Sequence, residues 1–120
     1  MPRNDALPAD FSPRFLDHMD GRTVAARELR RRLDEVHQDL GGADSLSYSV
    51  RSLVRRAIWL ESWLESQEAL AAEGHDIDVG KQTSALNTLL GIWKSLGLER
   101  RAKDVPSLRQ YAEQRRRAQA

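Results

Sequence analysis

One nearly continuous stripe of apolar positions constrains this chain more than anything else in it. Leu46, Val50, Leu53, Ala57, Leu60, Leu64, Gln67 and Ala71 recur at alternating steps of four and three. That spacing returns to one side of an α-helix and matches a coiled-coil seam, not the period-two alternation of a strand. Ser47 stands where an N-cap belongs and Gly74 where a left-handed C-terminal residue belongs. The pattern predicts a helix over 48–73, about 39 Å long at 1.5 Å per residue.

A helix of that length with one apolar side needs a partner, and the next segment supplies it. Gly74-His-Asp-Ile-Asp78 is a short polar connection, and Asp78 can cap a further helix over 79–96. Its buried face is expected from Leu86, Leu89, Leu90, Trp93 and Leu96, with Gly97 turning Leu98 back onto Trp93. The two helices then form an antiparallel hairpin. Gly91 costs about 1 kcal/mol relative to Ala inside a helix, which predicts close approach by another helix at that point.

Upstream, Ala25, Leu29, Leu33, Val36 and Leu40 form another helical stripe, so a helix is expected over 22–40, stopped by Gly41 and Gly42. Arg27, Arg30, Arg31 and Arg32 lie at close helical spacing to Asp34, Glu35 and Asp39, the pattern of a solvated face with intrahelical pairing. Residues 1–20 hold three of the four prolines. They are expected to form a flexible N-terminal arm, Met1 to Asp10 having no periodic pattern, with a short helix over 13–19 that presents Phe11, Phe15 and Leu16 as a hydrophobic flap over the core. Downstream, Ser107-Leu-Arg-Gln110 is a capping box opening a short basic helix over 107–120. The expected fold class is all-α: an antiparallel helical hairpin with an additional N-terminal helix and a short C-terminal helix, with the helical core over 21–106.

Chemistry-bearing motifs are sparse. Gly80-Lys-Gln-Thr83 echoes the end of a phosphate loop, but His75 stands where that loop needs its first glycine and no strand precedes it. His18, His37 and His75 are far apart and lack metal-ligand spacing. Asp76 and Asp78 lack the rest of a calcium loop. With no cysteine in 120 residues there is no disulfide, thiol nucleophile or thiolate metal site. No catalytic residue, metal or cofactor is expected, and the chain reads as a binding protein and not an enzyme. Without a signal-like or membrane-length apolar run, the default expectation is a cytoplasmic protein with no membrane partner.

Charge is unevenly distributed. Residues 1–93 carry 11 Lys and Arg against 15 Asp and Glu, while residues 94–120 carry 8 against 3. On the hairpin, Arg51, Arg55 and Arg56 open the first helix and Glu61, Glu65, Glu68 and Glu73 follow, an order that opposes the helix dipole. Antiparallel pairing brings the arginines beside Lys94, Arg100, Arg101 and Lys103. These seven are the candidate contacts to phosphates of double-stranded DNA. The alternative is salt bridging to Glu99, Asp104 or an acidic face of a neighbouring chain.

Apolar residues make up 40% of the chain, lean for a monomer of this size, so a homo-oligomer is expected. A second stripe on the long helix, Val54, Ile58, Trp59, Trp63 and Leu70, widens the apolar face beyond what one partner helix covers. It is the candidate oligomer interface; the alternative is that the upstream helix packs over the indoles.

Asp39-Leu-Gly-Gly42, Leu46-Ser-Tyr-Ser-Val-Arg-Ser-Leu-Val-Arg-Arg56, the hairpin, and Asn87-Thr-Leu-Leu-Gly-Ile-Trp-Lys-Ser-Leu-Gly-Leu-Glu-Arg-Arg-Ala102 together resemble small helical prophage proteins. The likeness, over about residues 39–112, is to small terminase subunits, the DNA-recognition components of phage packaging motors. It implies a hairpin that assembles into a ring, no activity of its own, and a large terminase subunit as the ATPase- and nuclease-bearing partner, in the host cytoplasm. The helix-turn-helix that many such subunits carry at the N-terminus has no counterpart here, which shifts DNA contact to the basic segments. A helical adaptor that binds a partner protein and no nucleic acid is the other reading. A transcriptional regulator would need two short helices at near right angles, a pattern not found here.

Overall fold

The computed structural model describes residues 6–97 and 108–118. Among the described residues the chain is all-helical, with α1 over Val24–Asp39, α2 over Tyr48–Ala72, α3 over Val79–Ser95 and α4 over Leu108–Ala118. A single 3-10 turn, Ala43–Ser45, links α1 to α2. Helices α2 and α3 pack against each other as the expected hairpin, and α1 packs on α2.

Local chemistry sets the boundaries. The Thr23 hydroxyl accepts from the Ala26 N–H at 3.2 Å and opens α1, Ser47 Oγ accepts from the Val50 N–H at 3.3 Å and opens α2, and Asp78 Oδ1 accepts from the Lys81 N–H at 3.0 Å and opens α3. Each satisfies an N–H that the first helical turn leaves without an intrahelical partner. Both α1 and α2 end in a paired closure. Gly41 N–H donates to the Gln38 carbonyl and Gly42 N–H to the His37 carbonyl; Gly74 N–H donates to the Ala71 carbonyl and His75 N–H to the Leu70 carbonyl. That closure needs a left-handed residue just past the helix, and Gly41 and Gly74 supply φ values of 104° and 90°.

Two clusters form the core. Ala57 and Leu64 of α2 meet Leu89 and Ile92 of α3, flanked by Leu53, Leu60, Trp63, Ala85, Trp93 and Leu96. On another side of α2, Val54 and Ile58 meet Ala26 and Leu29 of α1 together with Phe15, Leu16 and Met19. The stripe on α1 therefore runs through Ala26, while Ala25, taken for it in the sequence, is exposed. Either alanine continues the spacing to Leu29, and only packing distinguishes them.

The N-terminal segment supplies the expected hydrophobic flap over the core, without the expected helix. Phe15, Leu16 and Met19 are buried, and Phe15 is among the largest fully enclosed side chains of the protein. No α-helix forms over 13–19. The segment is a run of turns, with Phe15 N–H donating to the Ser12 carbonyl and Met19 N–H to the Leu16 carbonyl. A stretch this short gains little by helix formation alone, and the core fixes its conformation instead.

Helix α3 also differs from its expected face. Leu89 and Ile92 are buried with Trp93 and Leu96 beside them, but Leu86 and Leu90 are each 46% exposed. One partner helix covers only part of a helix circumference, and those two leucines lie on its uncovered flank. Gly91 is exposed, and a Cβ built on it meets nothing within 4 Å, so among the described residues no helix approaches it closely. The expected fold-back of Leu98 onto Trp93 lies outside the described residues.

Candidate functional site

The opening turns of α2 carry the first three candidate cations, and the structure gives them different neighbours. Arg55 Nη1 donates to the Pro13 carbonyl at 3.2 Å. The Arg56 guanidinium sits 4.6 Å from the centroid of the Phe11 ring, within cation–π range. Both arginines therefore hold the N-terminal segment. Arg51 is exposed and makes no ion pair among the described residues. It lines a small hollow of about 190 Å³ with Tyr48, Ser52, Arg55, Phe11 and Pro13. Lys94, exposed near the end of α3, lies at the same end of the hairpin. Arg100, Arg101 and Lys103 fall outside the described residues.

The candidate oligomer stripe divides in the same way. Val54 and Ile58 are enclosed by the chain itself, at 0% and 1% exposure, so they are not available to a second copy. The reason is that α1 and the N-terminal segment fill the space over them. Trp59 is half-buried: its indole N–H donates to the Pro8 carbonyl at 3.1 Å, and Phe11 meets it edge-on with ring centroids 6.3 Å apart. Trp63 is half-buried beside the α2–α3 cluster. The two indoles share an open groove with Ala9, Leu60, Lys81, Ser84 and Ala85. Leu70, towards the hairpin tip, is 39% exposed.

Sequence reasoning missed an ion-pair node between α1 and α2. Arg32 reaches Glu65 at 2.8 Å and Glu61 at 3.1 Å across the helix interface, and Glu28 at 3.3 Å within α1. Burial raises the Glu61 carboxyl above its ordinary range, opposed by the Arg32 charge and reinforced by Glu65. Hydrogen bonds from Arg31 and Arg32 hold Glu28 down to about 2. The charge order of α2 that opposes its own dipole thus has tertiary partners: Arg55 and Arg56 secure the N-terminal segment, and two of its glutamates receive Arg32. A salt-bridge partner 29 residues away leaves no periodic trace by which the sequence could have indicated it.

His37, in the last turn of α1, has its Nε2 buried without a hydrogen-bond partner among the described residues. Burial lowers its pKa; Asp34 opposes the shift, while Arg55 and Arg51 add to it. Among the described residues no group of three His, Cys, Asp or Glu is placed to hold a metal ion, and no helix is long and apolar enough to cross a membrane.

Comparison with protein-family models, with characterised proteins and with solved structures gives no match to this chain.

Proposed function

We propose that this chain is a non-catalytic, self-associating component that contacts DNA phosphates, of the kind that a small terminase subunit is, and that it acts beside a large terminase subunit. The observation that carries the reading is the polarity of the hairpin. One end presents Arg51 and Lys94 to solvent and leads into Arg100, Arg101 and Lys103; the other carries Glu68, Glu73, Asp76 and Asp78, all exposed. A surface with a basic end and few aromatic base-stacking groups suits sequence-independent contact with the backbone. Arg55 and Arg56 are engaged with the N-terminal segment, so Arg51 and the basic segment after α3 carry the DNA contact in this reading.

Fluorescence anisotropy of a labelled duplex tests it. Binding should weaken steeply as salt rises, and Arg51→Ala should reduce the slope of the salt dependence by about one. A folded protein that leaves the duplex unbound at low salt would refute the DNA contact. The adaptor reading, in which an apolar face takes a protein partner, draws support from Leu86 and Leu90, which remain exposed.

A further inference from the structure

We infer that the exposed flank of α3 is a self-association surface that receives a second copy of this chain in antiparallel orientation. Val79, Leu86 and Leu90 follow one another at steps of seven and four, which places them on one side of α3. They are 66%, 46% and 46% exposed. Scattered single apolar residues on a surface need no explanation, but three aligned along one helix form a seam. The hairpin pairing uses Leu89 and Ile92 and leaves this seam bare.

Charge selects both the occupant and its direction. The tip of the hairpin carries Glu68, Glu73, Asp76 and Asp78, and the opposite end carries Arg51 and Lys94. Parallel pairing of two copies would set acidic tip against acidic tip. Antiparallel pairing reflects each chain through the middle of the Val79–Leu90 seam, near Ser84 and Ala85, and brings Lys94 of one copy to the Asp76 turn of the other, twice by symmetry. The complementarity lies within this one sequence, which favours a second copy over an unrelated partner. Lys94 serves this contact, leaving Arg51 for phosphate. The inference rests on the self-association half of the proposed function and is independent of DNA; the two-fold contact pairs two copies, and a ring would need a second surface to join such pairs.

Light scattering after size-exclusion chromatography on the full chain, followed by oxidative cross-linking, tests the arrangement. The wild type should be a dimer or a multiple of one. Leu86→Asp and Leu90→Asp should each raise the dissociation constant at least about tenfold, which is about 1.4 kcal/mol. If circular dichroism shows either variant unfolded, Leu90→Gln takes its place. Because the chain has no cysteine, a mixture of Asp76→Cys and Lys94→Cys proteins reports direction. Antiparallel pairing should cross-link one variant to the other in preference to either with itself.

A wild type that stays monomeric at its solubility limit would overturn the inference, as α4 folding over the seam within one chain would produce. An assembly unmoved by Leu86→Asp and Leu90→Asp, or one in which Asp76→Cys joins chiefly to itself, would also overturn it. Loss of DNA binding with the dimer intact would refute the DNA reading alone.

Discussion

Replacing Phe15 with alanine is the sharpest test of how this fold is held. The side chain is 1% exposed and packs in one cluster with Leu16, Met19, Ala26, Leu29, Val54 and Ile58. A phenylalanine-to-alanine change in a packed core costs about 3–5 kcal/mol, from lost transfer energy and from the cavity left behind. Native domains hold roughly 0.05–0.15 kcal/mol per residue, so the loss takes a large share of the total. The expected fall in melting temperature is roughly 10–20 °C. Urea unfolding followed by tryptophan fluorescence should show a lower midpoint with an unchanged m-value, as stability and not compactness is altered. Val24→Ala, at a position 76% exposed, is the control and should stay within about 0.5 kcal/mol of wild type. A loss below about 1 kcal/mol for Phe15→Ala would mean that the N-terminal segment does not belong to the core, and the reasoning would fail.

The two glycines Gly91 and Gly74 should respond oppositely to alanine. At Gly91 the added methyl meets nothing within 4 Å on a helix, so stability should rise by about 1 kcal/mol; at Gly74, with φ at 90°, it should fall by about 1–2 kcal/mol. Thermal melts of the pair decide this, and a loss at Gly91 would contradict its open surroundings. His37 predicts a pH dependence. Its folded-state pKa lies below the ordinary 6.5, so the unfolded chain binds the proton more readily, and stability is full above about pH 6.5 and declines as pH falls below it. Urea midpoints across that window should fall less for His37→Gln than for wild type, and identical slopes would remove His37 as the cause. Arg32→Ala should cost about 1–2 kcal/mol, more than an exposed pair and less than a fully buried one, because Arg32 is 22% and Glu61 35% exposed. A double-mutant cycle with Glu61→Gln should give a favourable coupling; none at all would mean that the pair adds nothing to stability.

How far the architecture could be read in advance depended on the range of the interaction involved. The start of α2 at Ser47, the start of α3 at Asp78 and the glycine closures at Gly41 and Gly74 are local events, decided by side chains within a few residues of the backbone they satisfy. The seam from Val50 to Leu64 was legible because helical periodicity repeats along the chain. The candidate site was legible only as a list of charges. Arg51, Arg55 and Arg56 look equivalent in sequence, yet the N-terminal segment engages Arg55 and Arg56 and leaves Arg51 exposed.

Sequence alone thus determined α1, α2 and α3, the caps at Ser47 and Asp78 and the hairpin, because each follows from chemistry between near neighbours or from a period that repeats over many turns. Only tertiary packing decided which apolar residues stay outside. Val54 and Ile58 went into the core while Leu86 and Leu90 stayed exposed, although all four belong to equally regular stripes. The physical reason is that burial depends on which other surface arrives. Here a proline-bearing segment of irregular backbone, without a helical period to announce it, covered one flank of α2 and left the flank of α3 open.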